Sequence, residues 1–396
     1  MQRPMLASAE EMWMARVSES WRRLIEAIRS PAAAGPFRPG DVSALLEAAR
    51  ANGMLPLLSD AWENAGTLGS LEAEARQRFV QAALLQKAKA ALLWEELARV
   101  LDVLAADGLS PVLLKGAHLG AVYYADPHLR PMSDLDLCFW DLAEARRAFD
   151  SLRRAGYDAG ESGLAGDEWS YDQHLAVLTN LKSRAQVEIH GSLIYSPKDR
   201  RWERASVLLE EREPASVLGK DVWVLKPEAN VVYLLAHMLV HHAAIPPTLI
   251  HVWDVGLILE KEAARFDWGR FVRLAQDSGF AESAARGLGI VREVLGAEVP
   301  HGVLEALGAS SGSENDGGLV GGYREEAATG RVLGQVAHAG GLIGPVKMAF
   351  HMAFPPQAFL RERYPDKQRW PRPLLYPYRW GLQLWRVAKW CFRISL

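Results

Sequence analysis

Apolar residues in the first hundred or so positions recur every three or four residues. The stretches with this spacing cover residues 6–30, 41–53 and 70–108. Such spacing places apolar side chains along one face of a helix, and Gly108 ends the last stretch as glycine commonly ends helices. The pattern predicts a helical N-terminal region.

Between residues 109 and 226 the pattern changes to short apolar runs separated by turn-forming residues. Strand-like runs lie at 112–114, from Asp134 onward, at 174–180 and at 185–193. Helical spacing follows Lys115 and covers residues 141–156, and the turn-like residues 181–185 join the last two runs into a hairpin. This order of elements predicts a mixed α/β region.

Helical spacing returns from Pro227, and a segment rich in Gly, Ser, Asn and Asp comes after it. The predicted regions are an N-terminal helical region (1–108), a mixed α/β core (109–226), a helical region (227–306), a linker or mobile loop (307–345) and a basic, aromatic C-terminal module (346–396). The predicted fold class is therefore α+β, with a small mixed-sheet core flanked by N-terminal and C-terminal helical regions.

Composition narrows the class of protein. The chain has 396 residues, 49% apolar and 23% charged, which is enough to bury a substantial core and excludes a mainly disordered protein. Its two cysteines, Cys138 and Cys391, show no metal-binding spacing and do not indicate a secreted disulfide scaffold. Continuous apolar runs fall short of the roughly 20 residues that span a bilayer. We therefore expect a cytoplasmic protein without a transmembrane helix.

Positive charge is concentrated toward the carboxyl end, although the formal net charge is only −3. From Lys347 onward ten Lys or Arg residues stand against Glu362 and Asp366. Residues 371–396 place basic side chains on one narrow stripe of an expected helix, with Trp and Leu on the remainder. Three explanations stay open: packing on the protein itself, peripheral binding to a membrane surface, and contact with RNA.

Two aspartates, Asp134 and Asp136, alternate with Leu135 and Leu137 in a strand-like run. Alternate side chains of a strand point to the same face, so both carboxylates share one face while the leucines are buried on the other. An exposed strand edge could carry such a pair. Neighbouring carboxylates also bind Mg²⁺, which prefers oxygen ligands and completes its shell with phosphates. The motif therefore indicates phosphoryl-type transfer.

A third carboxylate occurs in the run at 185–193. Glu188 and His190 share one face there, and Val187 and Ile189 share the other. If this run neighbours the Asp134 strand, Glu188 joins the pair and can accept the proton of an attacking hydroxyl. His190 is either a candidate substrate contact or a structural histidine.

Lys115, Gly116 and Arg130 supply what a bound phosphate requires near such carboxylates. Glycine lets a phosphate approach the backbone, and the start of the helix that follows favours an anion. Lys115 then serves as a point charge, and the guanidinium of Arg130 can bind two phosphate oxygens. The three residues form a candidate phosphate-binding set.

Histidines are frequent after Pro227. The cluster contains His237, His241, His242, His251 and the nearby Asp254. His237 and His241 are four residues apart and so share one helix face, as metal-binding or substrate-binding histidines often do. A metal site, a contact to a nucleotide base or an acceptor, and core packing all remain open for this cluster.

The run from Leu114 to Leu137, together with residues 187–193, resembles the uncharacterised nucleotidyltransferase family of the polymerase-β-like nucleotidyltransferase superfamily. The resemblance covers roughly residues 110–260. It implies a mixed sheet with flanking helices, two divalent ions, Mg²⁺ or Mn²⁺, and transfer of a nucleoside monophosphate from an NTP such as ATP with release of pyrophosphate. It also implies that the helical region 227–306 is a lid over the cleft. By position, the implied metal ligands are Asp134, Asp136 and Glu188, and the implied phosphate contacts are Lys115, Gly116 and Arg130.

The acceptor of the transferred group is left open by the sequence. A small metabolite, a peptide or protein side chain, and an RNA end all fit. The competing class is a non-catalytic nucleotide-binding adaptor, which would need Lys115 and Arg130 but not the carboxylates. Two other enzyme classes with a D-x-D motif, haloacid-dehalogenase-like phosphatases and nucleotide-sugar glycosyltransferases, fit poorly because helices rather than a parallel α/β unit come before the motif.

Overall fold

The computed structural model describes residues 9–31, 39–159, 175–193, 201–241, 248–308, 371, 374–378 and 380–381. The helices are α1 (Ala9–Arg29), α2 (Pro39–Ala51), α3 (Leu55–Asn64), α4 (Ala73–Ala106), α5 (Lys115–Val122), α6 (Leu142–Arg154), α7 (Arg201–Glu210), α8 (Pro227–Ala236), α9 (Leu249–Lys261), α10 (Trp268–Asp277), α11 (Ala281–Leu295) and α12 (His301–Ala306). Short 3-10 helices cover Thr67–Ser70 and Pro127–Leu129, and a π-helical turn covers His237–His241. The strands are β1 (Val112–Leu113), β2 (Leu135–Cys138), β3 (Tyr157–Asp158), β4 (Leu178–Asn180), β5 (Gln186–His190), β6 (Arg212–Val217) and β7 (Lys220–Leu225).

Within the described residues, seven strands form one mixed sheet in the order β3-β4-β5-β2-β1-β7-β6. The central strand β2 runs antiparallel to β1 and parallel to β5. The expected hairpin forms between β4 and β5, where Leu178 pairs with Val187. This architecture, a mixed sheet with helices before and after it, confirms the predicted α+β fold class.

The two faces of the sheet belong to different hydrophobic cores. Leu135 and Leu137 of β2 pack with α4 and α6 on one face. Cys138, which has the same orientation as Asp136, packs on the other face with residues of α8, α9 and α11. The strand alternation expected for the D-x-D run therefore turns Asp136 toward the helical region after Pro227.

The N-terminal helices and the helices after Pro227 share one hydrophobic core. Asn52, just after α2, links them directly: its Oδ1 accepts hydrogen bonds from Trp21 Nε1 at 2.8 Å and from the backbone N–H of Leu249 at 3.2 Å. Gly53 is in the left-handed region with φ of +68°, and a Cβ atom there would lie 3.2 Å from Ile250. The division into regions at residues 108 and 226 stays a prediction, and this core crosses both boundaries.

Helix α8 is enclosed on all sides, because all ten of its residues are buried. A helix that is buried all round lies inside a protein rather than on its surface. Its Glu228 accepts a hydrogen bond from the backbone N–H of Asp267 at 2.9 Å, which ties the start of α8 to α10. Helix α8 thus separates the sheet from the outer helices.

No helix among the described residues combines the length and the apolar character that crossing a bilayer requires. The predicted linker lies outside the described residues from residue 309 onward, and so does most of the C-terminal basic stripe. Their predicted roles stay predictions.

Candidate active site

Strands β2 and β5 bring the polar residues of the sequence motif together. In their parallel register Asp136 lies beside Glu188, and Cys138 lies beside His190. Both pairs are on the face toward α8, because Val187 and Ile189 occupy the opposite face. Asp134 lies immediately before β2, which begins one residue later than the sequence suggested, and its side chain is half-buried.

Asp136 is the centre of the cluster. Its side chain is 2% exposed, and its Oδ1 lies 2.6 Å from Lys115 Nζ and 2.9 Å from His190 Nε2. The same His190 nitrogen lies 3.5 Å from Glu188 Oε2, so one ring lies between two carboxylates. Sequence reasoning left His190 as a candidate substrate contact or a structural histidine. The structure buries its ring completely, beneath the carboxylates.

Opposite charges decide the protonation of this buried group. Burial by itself would raise the pKa of Asp136, but Lys115 and His190 outweigh it, and the net pKa is well below the usual value. Lys115 shows the reverse: burial lowers its pKa, the charge of Asp136 raises it, and the net shift is upward. Asp136 is thus a carboxylate and Lys115 an ammonium group at neutral pH.

Asp134 is under the opposite influence. Burial and then the charge of Asp136 raise its pKa. The ammonium group of Lys115 lowers the pKa, Glu188 raises it by a smaller amount, and the net shift is upward. Both causes disfavour the charged form of Asp134: burial removes water from the carboxylate, and Asp136 repels it. An added cation would lower the energy of this arrangement.

The donor set suits a divalent metal ion. Asp136, Glu188 and His190 each offer one ligand atom, and these atoms lie within 4.8 Å of one another. Two carboxylates and one imidazole fit Mn²⁺ well, and the carboxylates fit Mg²⁺. Asp134 is not part of this compact set, although its charge acts on the same space. The residues therefore fit one ion directly, and the predicted second ion stays a prediction.

Lys115 reaches the cluster because α5 begins directly against β2. The backbone N–H of Leu114, the N-cap of α5, donates to the carbonyl of Asp136 at 3.1 Å. Lys115, the first helical residue, has a φ of +46°, which costs a non-glycine residue roughly 1–2 kcal/mol. Strained backbone of this kind occurs often at functional sites. Gly116 is buried, and a Cβ atom there would lie only 2.4 Å from Met132 Cγ.

Arg130 points to a different partner from the one the sequence suggested. Its Nη2 donates to Asp254 Oδ2 at 2.7 Å and its Nε to both carboxylate oxygens at 2.9 Å. Tyr124 donates to Asp254 Oδ1 at 2.7 Å. This buried group joins the core to α9, so Arg130 has a structural partner, and its predicted contact to phosphate stays a prediction.

The described residues include only some members of the predicted histidine cluster. His237 is buried, with its ring 6.0 Å from that of Tyr233. His251 on α9 is half-buried, and its Nδ1 lies 3.2 Å from Thr248 Oγ1. Asp254 forms an ion pair with Arg130. The side chain of His241 and all of His242 lie outside the described residues. The substrate-side roles expected of His237 and His241 stay predictions.

Sequence reasoning missed Tyr233. Its hydroxyl is fully buried on α8, and its pKa is raised first by burial and then by the charge of Asp136, with smaller contributions from Glu188 and Asp134. Tyr233 also packs in one hydrophobic cluster with Cys138, which shares the strand face of Asp136, so α8 lies over the side of the sheet that carries the carboxylates. In the sequence, Tyr233 lies in a continuous apolar run, where an aromatic residue is usually part of the core.

Comparison with known proteins gives one family match. The family model described as an uncharacterised nucleotidyltransferase matches residues 38–296, which include every described member of the cluster. No curated protein and no solved structure matches the chain. The family match covers more than half of the chain, from the N-terminal helices through β2 and β5 to α11. The protein therefore belongs to this family of uncharacterised nucleotidyltransferases.

Proposed function

We propose that the protein transfers a nucleoside monophosphate from an NTP to a hydroxyl or phosphate acceptor, with release of pyrophosphate. One observation supports this most strongly: Asp136, Glu188 and His190 offer clustered ligand atoms beside a lysine, in a chain of nucleotidyltransferase ancestry. Carboxylates for a metal ion and a cation for phosphates are the groups that phosphoryl-type transfer needs.

The carboxylates have the first role in this proposal. Asp136, Glu188 and His190 would hold a divalent cation, Mg²⁺ or Mn²⁺, with Asp134 at its edge or at a second ion. Such a cation, when bound, neutralises charge that develops on the phosphate oxygens. The half-buried Glu188 is also the candidate to accept the proton of the attacking hydroxyl.

Lys115 has a second role that follows from its present contact. Its ammonium group neutralises Asp136 at 2.6 Å, and it projects from the N-terminus of α5, where backbone N–H groups favour an anion. We expect Lys115 to turn from Asp136 to the triphosphate when the substrate binds. The same side chain would thus balance the carboxylates in the resting protein and the phosphates in the complex.

Calorimetric titration of the four NTPs, with and without Mg²⁺, tests the proposal. The proteins to compare are the wild type, Asp136→Asn, Glu188→Gln and, as a matched control, Asp221→Asn, whose exposed side chain lies on β7. We expect metal-dependent binding in the wild type and the control and its loss in the other two. Pyrophosphate release with candidate acceptors then identifies the reaction.

NTP binding that needs no metal and survives in Asp136→Asn and Glu188→Gln would contradict the proposal. The chain would then act as a nucleotide-binding adaptor, in which the carboxylates are dispensable.

A further inference from the structure

One face of α8 carries polar side chains that nothing in the described protein satisfies. Both amide atoms of the Asn230 side chain and the hydroxyl of Tyr233 are buried without a hydrogen-bond partner among the described residues. Both residues are 0% exposed. Buried polar groups are nearly always paired, because an unpaired one is destabilising. Three unpaired atoms on one short helix therefore indicate that something else pairs with them.

These side chains face the site described above. Asn230 and Tyr233 are three residues apart and so lie on the same side of α8. Tyr233 packs in one hydrophobic cluster with Cys138, which lies on the same strand face as Asp136, so this side of the helix lies over the face that carries the carboxylates. The charges of Asp136 and Glu188 also contribute to the raised pKa of the Tyr233 hydroxyl. Helix α8 also continues directly into the π-helical turn His237–His241, and π-helical turns occur frequently at functional sites.

The charge of this face identifies the part of the substrate that it fits. Helix α8 contains no Lys or Arg, and its one acidic residue, Glu228, is engaged with the backbone of Asp267. The cation for phosphates, Lys115, comes from α5 instead. An amide that offers a donor and an acceptor side by side matches the edge of a nucleobase, and a hydroxyl matches a base or sugar oxygen.

We infer that Asn230 and Tyr233 bind the nucleoside part of the NTP, with Asn230 reading the edge of the base. This inference rests on the proposed function and adds the residues that select the nucleotide. Both side chains are fully buried in this structure, so binding of a nucleoside here requires α8 to move away from its present packing. The triphosphate remains with Lys115, which comes from α5 rather than from α8.

The test compares binding with stability in the full chain. NTPs with Mg²⁺, and inorganic triphosphate with Mg²⁺, are titrated into the wild type, Tyr233→Phe and Asn230→Leu. We expect NTP affinity to fall about threefold to tenfold in Tyr233→Phe, and about tenfold in Asn230→Leu with reduced discrimination among the four bases. Affinity for inorganic triphosphate should not change. Since each change removes an unpaired polar group, urea unfolding midpoints should stay the same or rise.

Tyr157→Phe is the matched control. The hydroxyl of Tyr157 is also buried, but it donates to Glu96 on the other face of the sheet. This variant should lose stability and keep its NTP affinity, which is the opposite of the result expected for Tyr233→Phe.

Three results would overturn the inference. Unchanged NTP affinity in both α8 variants would show that the face does not contact the nucleotide. An equal loss for NTPs and for inorganic triphosphate would assign the face to phosphate. A loss of stability in both variants with normal NTP binding would show that internal partners, such as buried water, pair with these groups. If the wild type binds no NTP at all, the proposed function fails together with the inference.

Discussion

At the scale of single residues, the two aspartates of one motif have opposite energetic roles. Asp136 is buried and neutralised by Lys115 and His190, and its pKa is lowered. Asp134 is half-buried, has no ion-pair partner at a comparable distance among the described residues, and has a raised pKa. One carboxylate therefore stabilises the metal-free fold, whereas the charge of the other is disfavoured by burial and by repulsion from Asp136, which a bound cation would offset.

This difference predicts different effects of one substitution. Asp136→Asn leaves the buried ammonium group of Lys115 without its charge partner, so we expect the free energy of unfolding to fall by roughly 3–5 kcal/mol in metal-free buffer. Asp134→Asn removes repulsion, so we expect no loss or a small gain. Urea unfolding of both variants beside the wild type measures the difference. Equal losses would contradict the assignment.

His118 predicts a dependence of stability on pH. It is fully buried, neither ring nitrogen has a hydrogen-bond partner among the described residues, and burial lowers its pKa from 6.5 to about 3. Below about pH 6.5 the unfolded chain binds a proton that the folded chain does not. The free energy of unfolding should therefore fall with decreasing pH, by roughly 1.4 kcal/mol per pH unit, until about pH 3.

A comparison with His118→Leu isolates this contribution, because other groups titrate in both proteins. Above pH 7 the variant should be as stable as the wild type or more so, since an unpaired buried polar ring has been removed. Below pH 6.5 its advantage should grow as the pH falls. Parallel pH profiles from pH 7 to pH 4 would show that the ring is not buried in its neutral form.

At the scale of elements, the position of Glu188 depends on how the β4–β5 hairpin is held against α4. Glu96 of α4 is buried and accepts hydrogen bonds from Tyr157 of β3, from Asn180 at 2.7 Å and from Ser183 at 2.9 Å. Burial raises its pKa, but these donors outweigh burial, and the net pKa is lowered. One carboxylate therefore anchors three successive parts of the sheet.

Glu96→Gln should loosen this edge of the sheet. The amide keeps one acceptor oxygen, but its NH₂ group replaces the other oxygen and cannot accept a hydrogen bond from the surrounding donors. We therefore expect the free energy of unfolding to fall by roughly 2–3 kcal/mol. Amide hydrogen exchange of β4 and β5 should accelerate more than that of β6 and β7. Glu95→Gln is the control, because Glu95 is exposed and pairs with Arg99 on the surface, where the effect should stay within about 0.5 kcal/mol.

At the scale of the whole molecule, a shared hydrophobic core and the buried Arg130–Asp254 pair join the sheet to the helices on both sides of it in the chain. Asp254→Leu leaves Arg130 as a buried unpaired charge, so we expect a loss of roughly 3–5 kcal/mol. Adding Arg130→Met should recover most of that loss, because the pair is then replaced by apolar groups. A double-mutant cycle in urea measures the coupling.

The same double variant also decides the role that the sequence suggested for Arg130. If Arg130 contacts phosphate, the double variant should bind NTPs more weakly than Asp254→Leu alone. If Arg130 only joins the core to α9, the NTP affinity of the double variant should equal that of the wild type. Additive losses of stability in the cycle would mean that the two side chains do not act as a pair.

The sequence by itself determined the fold class and most of the carboxylate cluster. Period-two alternation in the runs around Asp136 and Glu188 assigns each carboxylate to one strand face, and the β4–β5 turn follows from local residues. Such properties depend on neighbours within a few positions. The sequence argument assumed that β2 and β5 are neighbours, and their pairing brings Asp136 beside Glu188. His190 joins these two carboxylates in place of Asp134, which the sequence argument did not predict.

Only the tertiary structure decided what lies opposite those strands. Arg130 forms an ion pair with Asp254, which lies more than a hundred positions later in the chain. Tyr233 of α8 is influenced by the charges of the carboxylates, which lie a similar distance away along the chain. In local sequence, Tyr233 and Asn230 look like parts of a core helix, and Arg130 looks like a phosphate contact. Contacts of this range arise from the packing of whole elements, and the spacing of residues along a chain carries no information about them.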